Sequence, residues 1–382
     1  MGEAYVTGIG FHPFGRFVHK TLKEIAATAI LAALDDAGLD PESIDAAFCA
    51  NAYAGLLTGQ ESIRGETWLR SVGIGGIPII NVENACAGGG TALHLATIAV
   101  RSGAYKRVLV VGAEKMFTGD TGRAIAALAT SSDIEVTSGI GMQFAAVDAI
   151  RVKRVMNEEK IGEDALDWIT VKSHDNGAMN PIAQFRKPLT AEDVRNSRMI
   201  AEPLRLFMCS AISDGAAACI VSSEPSSKPV RIAASATASS PIRARQGEVS
   251  TAKLASRRAY DQAGLSPKDV DFVEVHDAVS PMELVYYRDL GFCEPGSVAR
   301  FVAEGHPALT GDRPFNTSGG INSRGHPVAA TGIAQVIEIV QQLRGEAGGR
   351  QLRNPHRGLA LNAGGWIGDD PAFNAVHILE AA

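Results

Sequence analysis

The chain has 382 residues, of which 46% are hydrophobic, so it can bury a large core and is expected to be globular. Its formal net charge of −6 argues against a nucleic acid or an anionic membrane surface as the main partner. The five cysteines are far apart and include no Cys-x-x-Cys pair, so neither a disulfide framework nor a metal site is indicated.

The beginning of the chain has no basic segment followed by an apolar one, as a signal peptide would have. No apolar run reaches the length that a membrane-spanning helix needs. We therefore expect a cytoplasmic protein without a membrane segment.

The first predicted helix ends in a segment that recurs in the second half of the chain. Residues 33–45 align without gaps on residues 259–271, and seven of these thirteen positions are identical. Each copy ends a helix at Ala-Gly, turns at a proline and leads into a predicted strand. This repeat predicts an α/β protein made of two duplicated halves, residues 1–225 and 226–382. Each half is expected to contain a mixed, mostly parallel sheet with helices on both faces.

A single thiol lies where a predicted strand gives way to a predicted helix. Residues 77–82 read as a short buried strand, and Cys86 is followed by three glycines that open a helical pattern. A cysteine at a helix N-terminus faces unpaired backbone N–H groups and the positive end of the helix dipole, which stabilise a thiolate and a nearby oxyanion. Cys86 is therefore a candidate nucleophile, although a buried packing thiol is the alternative.

Residues 117–208 interrupt the alternation of strands and helices with polar and glycine-rich runs. A segment this long between two repeat units is more typical of an inserted functional subdomain than of a loop. Its Lys172, Arg186 and Lys187 either face an anionic ligand or form a solvated surface.

The second half contributes two histidines at predicted element boundaries. His276 follows a predicted strand at residues 272–275, and His326 precedes a helix predicted from residue 328 to 343. Imidazole titrates near neutrality, so either ring could take and return a thiol proton. Packing of related halves would bring corresponding helix starts together, so we expect Cys86 and His326 to face one cleft. Each histidine alone could equally be a hydrogen-bonding residue at a strand end.

These residues stand in motifs that resemble the thiolase family. The motifs are Asn-Ala-Cys-Ala-Gly at Cys86, His-Asp-Ala-Val at His276, Gly-His-Pro at His326, and the stretch from Asn180 through Pro203-Leu204 to residues 213–217. The likeness is to the sterol-carrier-type branch and to bacterial and archaeal acyl-CoA thiolases, and it covers nearly the whole chain. It implies the five-layer α-β-α-β-α thiolase fold.

The resemblance also implies roles for individual residues. Cys86 would be the nucleophile that carries an acyl group as a thioester, His326 its activating base, and His276 the group that binds the enolate oxygen together with His326. Backbone N–H groups at Cys86 and in the Gly364-Gly365 loop would form a second oxyanion site. Further candidates for substrate binding are Asn316, Arg324, Trp366, Tyr286 and Tyr287. Coenzyme A would be a substrate, with no tightly bound cofactor.

The chain departs from the family pattern in one respect. Many thiolases carry a second cysteine in the last loop or after the histidine of the His-Asp motif, but residues 361–368 and 276–279 contain none. His276 is one candidate to take over the proton transfer. This departure suggests a specialised 3-oxoacyl-CoA with an aromatic, branched or dicarboxylic acyl group.

Two other functions remain open from the sequence. One is a thiolase-fold aldolase or another carbon–carbon bond-forming enzyme, and the other is a non-catalytic thiolase-like subunit. The resemblance further implies a homodimer and allows a small zinc-ribbon and OB-fold accessory subunit.

Overall fold

The computed structural model describes residues 2–242 and 249–382 of the chain. The strands are β1 Tyr5–Gly15, β2 Ala46–Ala50, β3 Ile79–Val82, β4 Arg107–Glu114, β5 Met199–Ala201, β6 Leu204–Arg205, β7 Asp214–Ser222, β8 Val230–Ser239, β9 Phe272–Glu274, β10 Arg357–Gly364 and β11 Phe373–Ala381. The helices are α1 Leu22–Ala37, α2 Ala54–Thr58, α3 Arg64–Arg70, α4 Gly88–Arg101, α5 Thr121–Ala129, α6 Ile134–Thr137, α7 Phe144–Glu159, α8 Glu163–Ala178, α9 Ala191–Asn196, α10 Thr251–Ala263, α11 Glu283–Asp289, α12 Val298–Ala303, α13 Gly320–Arg324 and α14 Thr331–Arg344.

Nine strands form one hydrogen-bonded mixed sheet in the order β3-β2-β4-β7-β1-β8-β11-β10-β9. The pairs β3/β2, β2/β4 and β10/β9 are parallel, whereas the other five neighbouring pairs are antiparallel. The prediction of mostly parallel strands is therefore wrong for the part of the chain described. The reason is that β10 and β11 form a hairpin, and that β7 returns antiparallel to β4 after the long segment between them.

The predicted sheets of the two halves are joined where β1 meets β8. Only two residue pairs make this junction, Tyr5 with Arg231 and Val6 with Val230. From the junction outward, the order β1-β7-β4-β2 on one side corresponds to β8-β11-β10-β9 on the other. The five-layer arrangement and the domain boundary at residues 225 and 226 remain predictions.

The repeated segment has the same local structure in both copies. Helices α1 and α10 each end at a glycine in the left-handed conformation, Gly38 with φ 62° and Gly264 with φ 67°. Each glycine is followed by a short 3-10 turn that begins at a proline, Pro41 or Pro267. A left-handed residue is favourable only without a side chain, so the repeated Ala-Gly is the signal that stops both helices before strands β2 and β9.

Helices α4 and α14 pack closely against each other within a core that both parts of the sheet share. Buried residues of this core include Phe48 and Val110 from one side and Leu379 from the other. A side chain at Gly89 would begin 2.5 Å from the carbonyl oxygen of Ala329, so the helices approach closely only because this residue has none. This close approach places the start of α4 beside the start of α14, which carry the residues described next.

Within the described residues, no helix combines the length and the apolar character that a membrane crossing requires. The segment between β4 and β7 contains helices α5 to α9 and the two short strands β5 and β6. Its assignment as an inserted subdomain remains a prediction.

Candidate active site

Cys86 lies in a short 3-10 turn, Ala85–Ala87, between β3 and α4. The residue before it, Ala85, has a φ of 48°, which is uncommon for a residue with a side chain. Strained backbone of this kind is concentrated at functional sites. The thiol is buried, with 5% of the residue exposed.

The structure brings the thiol and both candidate histidines together. The sulfur of Cys86 and a ring nitrogen each of His276 and His326 all lie within 4.8 Å of one another. The two imidazole rings are arranged edge to face, with centroids 5.2 Å apart. By distance alone, this trio would also suit a metal ion, and the expectation of no metal remains a prediction.

His326 is held by hydrogen bonds that determine which ring nitrogen faces the thiol. Its backbone N–H donates to the hydroxyl of Ser213 at 2.9 Å, and its Nδ1 lies 2.7 Å from the hydroxyl of Thr331. The Thr331 hydroxyl donates its hydrogen to the carbonyl of Pro327 at 3.3 Å. With its hydrogen on the carbonyl of Pro327, the hydroxyl accepts from Nδ1–H, and this arrangement leaves Nε2 as an unprotonated acceptor.

His276 is held in the opposite tautomer by Asn362. The backbone N–H of Gly90 donates to Oδ1 of Asn362 at 3.2 Å, which orients the amide. The amide nitrogen of Asn362 is then directed at Nδ1 of His276, 3.2 Å away. An amide nitrogen can only donate, so Nδ1 accepts and Nε2 of His276 carries the hydrogen. One imidazole is thus arranged as a proton acceptor and the other as a donor.

The electrostatic environment of the thiol differs from the sequence-based expectation. Burial, followed by the nearby carboxylate of Glu114, raises the pKa of Cys86 to about 12. Backbone N–H groups of Gly365 and of Cys86 itself oppose this pKa shift. The expected stabilisation of a thiolate at the start of the helix is present, but loss of hydration outweighs it. The resting thiol is protonated.

Both histidines are neutral in this environment. Burial, followed by the charge of Arg324, lowers the pKa of His326 to about 3. The pKa of His276 is lowered well below its usual value, first by burial and then by electrostatic interaction with His326, Arg324 and Arg151. The site therefore rests as a neutral thiol beside two neutral imidazoles, and not as an ion pair.

A cavity opens beside Cys86 and His276. The loop after β10 contributes the predicted residues Gly364, Gly365 and Trp366, and α11 contributes Tyr286. Helix α7 lines the same cavity with a stripe of side chains at helical spacing: Phe144, Val147, Asp148 and Arg151.

Two predicted substrate-binding residues do not line this cavity. Arg324 is fully buried beneath it, 3.6 Å from the carboxylate of Glu274, and donates to the hydroxyl of Ser318. Asn316 is also fully buried; its side-chain oxygen Oδ1 accepts from the N–H of Val275 at 2.8 Å. Both predictions are corrected: Arg324 balances a buried carboxylate, and Asn316 supports the backbone that leads into His276.

The other residues proposed for ligand contact are also placed. Lys172 is buried and binds the carboxylate of Glu283 at 2.7 Å, and Tyr287 donates to the same carboxylate at 2.5 Å. Neither is free to bind a ligand, so their suggested contact with substrate is wrong. Arg186 and Lys187 are exposed, which fits a solvated surface.

The sequence did not reveal four residues of the site, namely Thr331, Asn362, Asp148 and Arg151. Thr331 and Asn362 act through hydrogen bonds to the two histidines, and neither residue type is distinctive in sequence. Asp148 and Arg151 are three residues apart on a helix, a spacing that normally indicates an exposed ion pair.

Models of two families match the chain: "Thiolase, N-terminal domain" over residues 3–225 and "Thiolase C-terminal domain-like" over residues 233–380. The chain belongs to the thiolase family. It is 40% identical to an acetyl-CoA acetyltransferase of Methanothermobacter thermautotrophicus over 387 aligned residues, covering 99% of each chain. These similarities identify an acetyl-CoA acetyltransferase type of enzyme.

Two further similarities describe the breadth of the family. The chain is 32% identical to sterol carrier protein 2 of Bos taurus, covering 95% of this chain and 70% of that protein. A solved structure named "Ltp2-ChsH2(DUF35) aldolase" superposes with a TM-score of 0.82 at 26% identity, covering 100% of this chain and 98% of the other. The sterol-carrier-type resemblance is confirmed, and an aldolase shares the fold.

Proposed function

We propose that this enzyme is a thiolase that cleaves a 3-oxoacyl-CoA with coenzyme A, or runs the reverse condensation, through a thioester on Cys86. The observation that carries the proposal is the convergence of the Cys86 sulfur with ring nitrogens of His276 and His326 within 4.8 Å. A nucleophile, an acceptor and a donor are the groups that this reaction needs at one point.

In the first step, Nε2 of His326 takes the proton of the Cys86 thiol as the sulfur attacks the 3-oxo carbon. General-base catalysis is required because the resting thiol is protonated, with a pKa of about 12. The carbonyl oxygen becomes an oxyanion, for which we propose the backbone N–H groups of Cys86 and Gly365 as donors. The same two N–H groups lower the pKa of the Cys86 thiol in the resting enzyme, as donors directed at negative charge would.

The bond between the second and third carbons of the acyl group then breaks. The acyl group remains on sulfur, and the enolate of acetyl-CoA leaves with its negative charge on the thioester oxygen. The Nε2–H of His276 is oriented to hydrogen-bond that oxygen because Asn362 occupies Nδ1.

The carbon of this enolate needs a proton, and Cys86 is the single cysteine among the described cavity-lining residues. We propose that the protonated His326 returns the thiol proton to that carbon, which completes acetyl-CoA without a second thiol. In the second half of the reaction, His326 takes the proton of coenzyme A as its sulfur attacks the thioester, and Cys86 recovers that proton as it leaves.

The decisive experiment compares the enzyme with Cys86→Ser on acetoacetyl-CoA or a longer 3-oxoacyl-CoA. We expect turnover to fall by a factor of at least about 10³ because a hydroxyl is a far weaker nucleophile beside the same base. Mass spectrometry of the acid-quenched enzyme is expected to detect an acyl adduct on Cys86. Turnover by Cys86→Ser at near the normal rate would contradict the thioester mechanism and favour the aldolase alternative.

We also propose a homodimer and an accessory subunit as partners. The support for an accessory subunit is the name of the structural relative, which includes a DUF35 protein. Sedimentation of the purified chain tests the dimer, and co-purification with a small zinc-ribbon and OB-fold protein tests the accessory subunit.

A further inference from the structure

The cavity is lined by a charged group with unused hydrogen-bonding capacity. Arg151 is 9% exposed, and its nearest carboxylate oxygens are Oδ1 of Asp370 at 3.7 Å and Oδ1 of Asp148 at 3.9 Å. At these distances the carboxylates compensate the charge of Arg151, but they are too far away to accept hydrogen bonds from it. In the described part of the chain, the guanidinium N–H groups have no acceptor within bonding distance.

The carboxylate of Asp148, in turn, lacks a hydrogen-bond donor among the described residues. Its carboxylate is buried on the same wall of the cavity and has Arg151 as its ion-pair partner at a non-bonding distance. Asp370 differs, because its second oxygen already accepts the N–H of Thr251 at 2.7 Å. Among the described residues, none donates a hydrogen bond to the Asp148 carboxylate and none accepts one from the Arg151 guanidinium.

The charge count shows which ligand group fits. Two carboxylates, Asp148 and Asp370, flank the single guanidinium of Arg151, so the group has an excess of negative charge when both are ionised. A carboxylate on the substrate would add a further negative charge in a buried place and would offer no hydrogen to Asp148. A hydroxyl adds no charge, accepts from Arg151 and donates to Asp148.

The remaining walls are apolar or aromatic. Phe144 and Trp366 meet edge to face with ring centroids 6.2 Å apart, and Val147 and Met282 lie beside them. These side chains suit the hydrocarbon part of an acyl group, between the thioester and its distal end.

We propose that the preferred acyl group carries a hydroxyl that binds between Arg151 and Asp148. This inference rests on the proposed thiolase function and names its substrate class. It replaces a dicarboxylic acyl group, which the charge count disfavours.

The test is a panel of 3-oxoacyl-CoAs of several chain lengths, each made with a methyl, a hydroxyl or a carboxylate end. We expect kcat/KM for the hydroxyl end to exceed that for the methyl end by about 10-fold to 100-fold at the best length, as for a hydrogen bond to a charged group. The carboxylate end is expected to be the poorest. A methyl or carboxylate end that is equal or better at every length overturns the inference.

Two variants test the residues through ratios that general damage to the fold would not change. Arg151→Met is expected to bring the hydroxyl-to-methyl ratio of kcat/KM close to one. Asp148→Asn removes the excess negative charge and is expected to raise the carboxylate-to-methyl ratio by about 10-fold. Unchanged ratios in both variants overturn the assignment.

Matched controls lie on helix α10, where Arg257 and Asp261 are exposed. Arg257→Met and Asp261→Asn are expected to leave all ratios as in the parent enzyme. Failure of the thiolase proposal is a separate result: then no member of the panel is cleaved and no acyl adduct forms on Cys86.

Discussion

At the scale of single residues, the site depends on two imidazoles with opposite hydrogen positions. The hydroxyl of Thr331 leaves His326 with a free acceptor nitrogen, and the amide of Asn362 leaves His276 with a free donor. These two contacts allow His326 to accept the thiol proton while His276 donates a hydrogen bond to the enolate oxygen. The chemistry therefore depends on residues that need not touch the substrate.

Asn362 provides a direct test of this tautomer assignment. In Asn362→Asp, a carboxylate faces Nδ1 of His276 and accepts its hydrogen, so Nε2 loses the hydrogen that binds the enolate oxygen. We expect kcat to fall by about 10²-fold, the usual effect of removing one oxyanion donor, while KM changes little.

A second measurement separates this effect from structural damage. Alkylation of Cys86 by iodoacetamide needs His326 but not His276, so its rate is expected to stay within about twofold of the parent enzyme. Asn157→Asp, an exposed position on α7, is the matched control. Equal losses of alkylation and turnover in Asn362→Asp would contradict a tautomer role.

The pKa shifts predict an unusual dependence on pH. The pKa of Cys86 is raised to about 12 and that of His326 is lowered to about 3, so neither group changes its protonation state between pH 5 and 9. Since the reactive pair is the neutral thiol with the neutral imidazole, the alkylation rate of Cys86 should vary by less than about threefold over this range.

Burial raises the pKa of the neighbouring Glu114 to about 7, so its ionisation falls within the same window. Glu114→Gln is therefore the control for any small step near neutrality. Burial also raises the pKa of Asp148 to about 6, and its charge acts on Cys86. A steep rise in rate centred between pH 6 and 8 that persists in both Glu114→Gln and Asp148→Asn would indicate a titrating thiol or imidazole instead.

The sequence motifs predicted which residues react more accurately than they predicted the burial, charge partners and pKa values of those residues. Cys86, His276 and His326 stand in distinctive motifs, and the structure brings them together. Arg324 was misplaced because an arginine beside a site histidine looks like a ligand contact, whereas here it balances the buried Glu274. The pKa of Cys86 was misjudged because local sequence shows the helix start but not the depth of burial.

At the scale of elements, the contact of α4 with α14 controls the geometry of the site. The first helix follows Cys86 directly and the second follows His326, so a displacement between them changes the distance between thiol and base. Gly89, in the first turn of α4, allows this approach because it has no side chain.

Gly89→Ala is expected to disturb that contact. The added carbon would lie 2.5 Å from the carbonyl oxygen of Ala329 and 3.2 Å from the side chain of Ile333. Such overpacking typically lowers the free energy of unfolding by about 1–3 kcal/mol, measured by denaturant titration. Gly139→Ala is the control because a Cβ there meets open space. Equal stability of the two variants would contradict the importance of the close packing.

The sequence predicted the repeated helix, turn and strand because glycine and proline act locally. It failed on strand direction because pairing of β7 and β11 depends on contacts between distant parts of the chain. Helix α7 was overlooked as part of the site because its Asp148 and Arg151 resemble surface charges, and only the tertiary structure reveals that they face a cavity.

At the scale of the whole molecule, five free cysteines compete for any thiol reagent. Cys209 is the most accessible, whereas Cys86 is buried but has a base beside it. We expect iodoacetamide to label Cys86 first in the folded protein and acyl-CoA to protect it, as measured by peptide mass spectrometry.

The control is the same reaction in denaturant, where all five thiols should react at similar rates because burial and His326 no longer distinguish them. Labelling that follows exposure in the folded protein, with Cys209 ahead of Cys86, would contradict activation by His326.

The position of α7 at the cavity has a consequence for how the acyl-group specificity of this enzyme can change. The reacting residues belong to the strand ends and to the starts of α4 and α14, whereas Asp148 and Arg151 belong to the segment between β4 and β7. Under the proposed role of Asp148 and Arg151, mutations in that segment would change the preferred acyl group without altering Cys86, His276 or His326. Exchanging the segment between β4 and β7 among relatives would then be a route to enzymes with a different acyl-group specificity and the same catalytic residues.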